Sequence, residues 1–180
     1  MSSTAKKSKW ELFIGALDPA AGEKILDVGA GKGFIANRVL QESKGAEVYA
    51  VDPSEKRVAL MRRDYPALKS SVAGAESLPF PDSFFDKAYT TMALHHYNDL
   101  ARALKELRRV LKTGGCFVVL EVDPASAQAM MFRFFGRLTG EHMNFLSEEQ
   151  LVSRLEAEQG FRVGSSARLE SRYIVRAVSM

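Results

Sequence analysis

The stretch ILDVGAGKGFIA occupies residues 25–36 and joins a short apolar run to three glycines at alternate positions. Glu23–Val28 predicts a buried β-strand, and Phe34–Glu42 predicts a helix with its apolar residues on one side. The order of strand, glycine turn and helix is typical of a parallel α/β sheet whose first turn approaches a ligand. The stretch therefore predicts both the fold class and the place of the functional site.

The remainder of the chain continues this alternation of strands and helices. Further strands are predicted at Glu47–Val51, Lys69–Ala73, Phe85–Met92, Cys116–Val122, Phe161–Ala167 and Tyr173–Val178. Further helices are predicted from the Ser54 cap to Tyr65, from Leu100 to Leu111 with an end at Gly114 and Gly115, and from the Ser147 cap to about Gln159. The last two strands predict an antiparallel edge hairpin. The fold class is therefore α/β, a Rossmann-like doubly wound sheet of seven strands in the order 3-2-1-4-5-7-6 with strand 7 antiparallel.

Length and composition predict one domain without a membrane span. The 180 residues, 46% hydrophobic and 26% charged, suffice for one core and are too few for two. Apolar runs such as Cys116–Leu120 are far shorter than the roughly 20 residues that cross a bilayer, and we expect a cytoplasmic protein. The single cysteine, Cys116, is expected to be a buried packing residue, and no metal site is expected.

The charge distribution gives little support for a nucleic-acid partner. The chain has 25 basic and 22 acidic residues and a net charge of +3. The basic residues predict solvated helix faces rather than a surface that follows phosphates, so we expect no nucleic-acid partner.

The spacing of the glycines argues against two common phosphate loops. The dinucleotide pattern G-x-G-x-x-G needs its third glycine where this chain has Phe34, because Gly33 comes one place early. Lys32 is followed by Gly33 rather than Ser or Thr, which excludes the triphosphate loop. Asp27 would repel a pyrophosphate and would favour the ammonium group of a bound amino acid.

Asp52 ends the second predicted strand about 20 residues after the glycines, where a carboxylate can accept both hydroxyls of a ribose. This position predicts a nucleoside ligand. The alternative is that Asp52 only begins a turn before Pro53 and Ser54, and the sequence leaves that alternative open.

Five segments in this order resemble the class I S-adenosylmethionine-dependent methyltransferases, in the branch that includes the ubiquinone and menaquinone C-methyltransferases. They are LDVGAGKG at 26–33, VDPS at 51–54, AESLPFPDSFFD at 75–86, MALHHYND at 92–99 and ELRRVLKTGG at 106–115. The resemblance extends roughly over residues 23–163. It implies a single methyltransferase domain over residues 1–180, with an N-terminal helical segment at 1–22, a cofactor-binding core at 23–123 and an acceptor-side part at 124–180.

The resemblance also implies the residues that bind S-adenosylmethionine. They are Asp27, Gly29, Gly31 and Gly33 around the methionine and ribose, Asp52 at the ribose hydroxyls, Ala75 and Glu76 at the adenine, and Thr91 at the methionine half. One position departs from the pattern, because Gly74 stands where many relatives carry an aspartate. That departure puts the contact to the adenine amino group in doubt.

His95 and His96 match positions that face the acceptor in the family. An imidazole can serve as a general base for a phenol, enol or amine near neutral pH, although a structural histidine at a strand end is equally common. The resemblance implies a small-molecule acceptor that could be apolar. A protein that binds the nucleoside or a partner without turnover stays an alternative. A nucleic-acid methyltransferase would carry an Asn/Asp-Pro-Pro-Tyr/Phe motif, which residues 90–96 lack.

Two apolar segments each have two interpretations. The Met- and Phe-rich segment Ala125–Leu138 is either a lid over a hydrophobic acceptor or ordinary core. The N-terminal segment Trp10–Leu17 either packs against the sheet or closes over the cofactor.

Overall fold

The structure is a computed structural model that describes residues 8–139, 143–158 and 160–180. The helices are α1 (Lys9–Leu17), α2 (Phe34–Glu42), α3 (Glu55–Asp64), α4 (Leu100–Val110), α5 (Ala127–Thr139) and α6 (Glu148–Glu158), with a short 3-10 helix at Leu94–His96. The strands are β1 (Lys24–Val28), β2 (Glu47–Asp52), β3 (Lys69–Val72), β4 (Phe85–Thr91), β5 (Leu111–Val122), β6 (Phe161–Arg168) and β7 (Arg172–Ser179).

The described strands form one seven-stranded sheet in the order β3-β2-β1-β4-β5-β7-β6. Strands β1 to β5 pair in parallel, while β7 runs antiparallel to both β5 and β6. The predicted fold class and strand order are therefore confirmed, and so is the closing hairpin. Residues 1–7 of the predicted N-terminal helical segment and the predicted helix end at Gln159 lie outside the described residues.

The predicted last residue of α4, Leu111, lies one residue beyond the observed end, but the prediction that Gly114 and Gly115 end the helix is wrong. The helix ends at Val110, and β5 already begins at Leu111, which is buried and pairs with Phe85. The ladder shifts its register just after this pair, and a Cβ at Gly115 would lie 2.8 Å from the Lys112 carbonyl oxygen. Gly115 is therefore needed for an irregular strand start rather than for a helix end.

Helices cover both faces of the sheet because successive strand residues point to opposite sides. One face, which includes Ile25 and Tyr89, packs against α1, α2 and α3. The other face, which includes Leu26 and Phe117, packs against α4 and α6. Each large apolar side chain buried in these layers stabilises the fold by about 1.5–3 kcal/mol. Cys116 lies in the first layer at 4% exposure, which confirms its packing role.

The N-terminal helix α1 packs against the sheet and does not close over the ligand side. Phe13 is buried, and its ring meets Tyr89 edge-on at a centroid distance of 5.4 Å. The Trp10 indole N–H donates to a Glu42 carboxylate oxygen at 2.6 Å, which ties α1 to α2. The first of the two interpretations of this segment is therefore correct.

The Met- and Phe-rich helix α5 is not ordinary core. Most of its large apolar side chains are exposed, and among residues 127–138 only Gln128, Ala129, Phe132 and Gly136 are buried or partly buried. Among the helices of the described ranges, none is long and apolar enough to cross a membrane.

Candidate functional site

A cleft of about 750 Å³ lies at the carboxyl ends of β1, β2 and β4. Ligands of doubly wound sheets bind at this edge, and the volume lies within the usual range for small-molecule sites. Seven of the predicted residues line the cleft: Gly29, Gly31, Asp52, Ala75, Glu76, Thr91 and His96. The other three, Asp27, Gly33 and His95, lie outside its lining.

The first two glycines bring bare backbone to the floor of the cleft. Gly29 has a φ of 81°, and a Cβ there would lie 2.5 Å from the Ala93 Cβ. Its N–H donates to the Val51 carbonyl at 2.9 Å, which fixes the loop to β2. Gly31 has a φ of 60°, and no heavy atom lies within 4 Å of its Cβ position. The loop is therefore fixed to β2 at Gly29 and leaves open space beside Gly31.

Gly33 serves helix packing rather than the cleft lining. It precedes α2 with a φ of 83°, and a Cβ there would lie 2.5 Å from the Met61 Cγ of α3. Among the described residues no side chain caps α2, and its first turn contains no acidic residue. Phe34, the first residue of α2, lines the cleft. The positive end of the α2 dipole therefore favours a negatively charged group in the cleft.

Asp52 joins the glycine loop to the second strand. Its side chain is only 2% exposed, and its two oxygens accept the Gly31 and Ser54 N–H groups, each at 2.9 Å. The Ser54 contact shows that Asp52 does begin the turn, as the alternative interpretation held. A carboxylate can accept about four hydrogen bonds, so each oxygen keeps further acceptor capacity. The Arg57 guanidinium, 3.7 Å away, also lines the cleft and supports the negative charge.

Asp27 lies beneath the glycine loop and is completely buried. Neither of its oxygens has a hydrogen-bond partner among the described residues, and the hydroxyl of neighbouring Tyr89 is equally unpartnered. The pKa of Asp27 is raised to about 8, mainly by burial and also by the charge of Asp52, while the nearby Tyr89 hydroxyl opposes the shift. The carboxyl is therefore largely protonated at neutral pH.

This raised pKa predicts a pH-dependent stability. A carboxyl that holds its proton more tightly in the folded state than in the unfolded state lowers the free energy of unfolding as pH rises. For Asp27 this loss runs from about pH 4 to about pH 8. Asp27→Asn removes the ionisation, so the melting temperature of the wild type should fall relative to that of the variant by about 5 °C or more over this window.

Thermal unfolding of both proteins, without added ligand, measures the difference. Asp82→Asn is the matched control, because the Asp82 side chain is 77% exposed and should leave the pH profile unchanged. If the melting temperatures of the wild type and Asp27→Asn changed in the same way with pH, the raised pKa of Asp27 would be contradicted.

The predicted adenine end of the cleft is organised by Glu76. One of its oxygens, Oε1, accepts the N–H groups of Asn98 at 2.8 Å and Asp99 at 3.3 Å. The other oxygen, Oε2, lies 3.0 Å from the position that a Cβ on Gly74 would take. An aspartate at 74 would crowd this oxygen. Glu76 therefore provides a carboxylate oxygen beside Gly74, the position at which the resemblance leads one to expect an aspartate.

The two predicted histidines have different environments. His96 is exposed and lines the cleft. His95 is 2% exposed, and its Nδ1 lies 2.9 Å from an oxygen of Glu121, a fully buried carboxylate on β5. The same oxygen accepts the Val122 N–H at 2.7 Å, and the His95 ring lies 4.3 Å from the His96 ring between centroids. Glu121 thus orients His95, and His95 supports His96.

Several site residues were not predicted. Glu121 could have been noticed as the one charged residue in the apolar run Cys116–Val122. Tyr97 lines the cleft, and its hydroxyl donates to the Val28 carbonyl at 3.2 Å. Met143 reaches the cleft from the segment after α5, and no local signal marks it. Within the described ranges no group of His, Cys, Asp or Glu side chains could hold a metal ion.

Comparisons with known proteins agree with this geometry. A model of the methyltransferase domain family matches residues 26–119. The chain is 36% identical over 117 residues to a demethylmenaquinone methyltransferase of Chlorobaculum tepidum, covering 65% of this chain and 46% of that protein. It is 28% identical over 163 residues to the demethylmenaquinone methyltransferase of Thermotoga maritima, covering 78% and 71%.

The fold matches that of a solved S-adenosylmethionine-dependent methyltransferase from Mesorhizobium loti. The TM-score is 0.80 at 20% identity, with 94% of this chain and 97% of that chain covered. The chain spans about half the length of the Chlorobaculum relative. The family model covers more than half of the chain, from β1 into β5. The chain therefore belongs to the class I S-adenosylmethionine-dependent methyltransferases, and among them it is similar to the ubiquinone and menaquinone C-methyltransferases.

Proposed function

We propose that this chain binds S-adenosylmethionine in the cleft and transfers its methyl group to a small-molecule acceptor. The observation that carries the proposal is the Asp52 carboxylate. It is buried and oriented by the glycine loop, and both of its oxygens keep acceptor capacity at the cleft. Two acceptor oxygens on one carboxylate suit the two neighbouring hydroxyls of a ribose.

The other residues of the cleft fit the remaining parts of this cofactor. The uncapped end of α2 suits the carboxylate of an amino acid, and the open space above Gly31 admits the ligand to the backbone. Ala75 and Glu76 would hold the adenine, with Glu76 Oε2 as acceptor for its amino group in place of the missing aspartate at 74. Thr91 would border the methionine half from the end of β4.

The residues found outside the cleft lining take supporting roles in this proposal. Gly33 places the α2 terminus by allowing close packing on Met61. Asp27 supports the loop from below, and an ammonium group bound above the loop would favour its ionised form. His95 is a positioning residue, since it touches His96 and is oriented by Glu121.

When bound, S-adenosylmethionine supplies a methyl group that is already activated by its sulfonium sulfur. The chain must therefore mainly hold the acceptor in line with that methyl group and exclude water, which can provide several kcal/mol of the required acceleration. His96 lines the cleft and would accept the proton that a phenol, enol or amine loses on methylation.

The acceptor side of the cleft favours an apolar molecule. Met92 and Met143 line it, and both pack with Phe132 and Phe145 in a small apolar cluster beside His95. Methionine side chains adapt to irregular apolar ligands. Because two similar relatives are named demethylmenaquinone methyltransferases, an aromatic quinol is the acceptor class that we expect.

The proposed function predicts methyl transfer that depends on His96. The test is incubation of the chain with methyl-labelled S-adenosylmethionine and a panel of quinols, phenols and amines, followed by detection of labelled product. We expect His96→Gln to lower kcat by about tenfold to a hundredfold, because a positioned general base contributes about that much or more. The dissociation constant for S-adenosylmethionine should stay unchanged.

Val72→Ser is the control, since Val72 is exposed on the edge strand β3 and does not line the cleft. Tight cofactor binding without product from any acceptor would contradict the proposal and would favour the alternative of a binding protein without turnover. An unchanged kcat in His96→Gln would remove His96 from the mechanism.

A further inference from the structure

The helix α5 presents five of its six large apolar side chains to solvent. Met130, Met131, Phe134, Phe135 and Leu138 are between 49% and 70% exposed. We call these five residues the α5 apolar face. A contiguous exposed patch of this kind on a folded chain marks an interaction site.

The α5 apolar face lies opposite the side of the helix that contacts the protein. At 100° per residue, the five exposed residues occupy an arc of about 140°. Ala129, Phe132 and Gly136, which face the protein, lie on the opposite side of the helix. The helix is therefore apolar on both sides, and in the part of the chain that the structure describes the wider side is the more exposed one.

Two arginines lie between these sides, and both are on the same flank. Arg133 and Arg137 are one turn apart, both are exposed, and α5 contains no acidic residue. The Arg133 guanidinium donates to the Pro124 carbonyl at 3.2 Å and lies 5.4 Å from the Phe145 ring centroid. These contacts hold Arg133 at the edge of the helix, where it borders the α5 apolar face.

We propose that α5 docks on an anionic lipid surface. The α5 apolar face would enter the boundary between headgroups and acyl chains, and Arg133 and Arg137 would meet the lipid phosphates. Apolar aromatic residues on one side with arginines on the flank are the features of helices that lie in this boundary. With 13 residues, α5 is about 20 Å long, which suits a helix that lies flat rather than one that spans.

Charge favours a lipid surface over a second copy of the chain. Pairing of two α5 helices would bring four arginines together, and α5 offers no acidic side chain to pair with them. An anionic lipid surface instead attracts each arginine. The inference goes beyond the proposed function, because lipid binding requires neither the cofactor nor the acceptor.

The covered side of α5 packs beside the acceptor side of the cleft. Phe132, on the covered side of α5, stacks towards His95 at a centroid distance of 6.4 Å. The lipid-facing helix therefore borders the acceptor side of the site. An apolar acceptor dissolved in the lipid would reach the cleft without crossing water.

The test is sedimentation of the full chain with vesicles of phosphatidylcholine alone and of an equimolar mixture with phosphatidylglycerol. Binding should be at least about tenfold tighter to the anionic vesicles and should weaken at high salt. Phe134→Ser combined with Phe135→Ser should reduce the anionic-vesicle affinity at least about tenfold, because two exposed aromatic side chains lose their burial. Arg137→Gln should reduce it about fivefold.

Val72→Ser and Lys56→Gln are the matched controls, since both residues are exposed and distant in sequence from α5. Unchanged melting temperatures show that the variants remain folded. Equal binding to both kinds of vesicle, or unchanged binding of the double variant, would overturn the proposal. The proposal would also be overturned if the wild-type chain were a dimer in solution and the double variant a monomer, because the α5 apolar face would then bind a second copy. Titration of the double variant with S-adenosylmethionine tests the proposed function separately, because neither Phe134 nor Phe135 lines the cleft. Cofactor binding without vesicle binding would contradict the lipid proposal alone.

Discussion

Gly29→Ala is expected to weaken S-adenosylmethionine binding by at least about a hundredfold. The added Cβ would lie 2.5 Å from the Ala93 Cβ, well inside van der Waals contact, and φ at this position is 81°. Left-handed backbone costs an alanine about 1–2 kcal/mol, and a core overlap costs about 1–3 kcal/mol more. Both Gly29 and Ala93 line the cleft, so relief of the overlap must displace one of its walls.

Gly22→Ala is a closely matched control. Gly22 has a φ of 79°, and no heavy atom lies within 4 Å of its Cβ position. Gly22→Ala therefore introduces the left-handed backbone strain but no steric overlap, and Gly22 does not line the cleft. We expect it to lower the free energy of unfolding by about 1 kcal/mol and to leave S-adenosylmethionine binding unchanged. Calorimetric titration and thermal unfolding of both variants measure the two effects. Equal cofactor affinity in the two variants would contradict the role assigned to the glycine loop.

Much of the fold could be predicted because its signals are local. The stretch around Gly29 contains a strand, a turn and a helix within twenty residues, and α2 begins and ends as predicted. Connection rules for parallel strands then restrict the strand order to few choices. The start of β5 was mistaken because Leu111 belongs to the strand only through its pairing with Phe85, a contact that helical periodicity does not encode.

That Gly31 and Asp52 line one cleft was predictable for the same reason, since Gly31 follows β1 and Asp52 ends β2, two neighbouring parallel strands. The acceptor side was not. The pair of His95 and Glu121 joins residues that are 26 positions apart. The exposure of the α5 apolar face could not be predicted either, because an amphipathic pattern does not show which apolar side meets the protein.

Asp52→Asn should weaken S-adenosylmethionine binding at least about tenfold. The amide retains the size of the side chain but loses its charge, and its NH₂ group cannot accept a hydrogen bond. One of the Gly31 and Ser54 N–H contacts would be lost. The charge-assisted bond that we propose between Asp52 and the ribose would be lost as well. A hydrogen bond to a charged group contributes about 1.5–3 kcal/mol, which corresponds to a loss of about tenfold to a hundredfold.

Asp82→Asn again serves as the control, because it removes one exposed carboxylate without touching the cleft. Circular dichroism and thermal unfolding establish that Asp52→Asn is folded at the titration temperature. A loss of affinity in a folded Asp52→Asn protein, absent from Asp82→Asn, isolates the contribution of Asp52.

Calorimetric titration of the wild type and of Asp52→Asn with S-adenosylmethionine tests the central claim most directly. We predict saturable binding of the wild type with a dissociation constant of about micromolar, and a dissociation constant at least about tenfold higher for the variant. Equal affinities for the two proteins, or a wild type that gives no binding heat at any accessible concentration and temperature, would contradict a nucleoside held by Asp52.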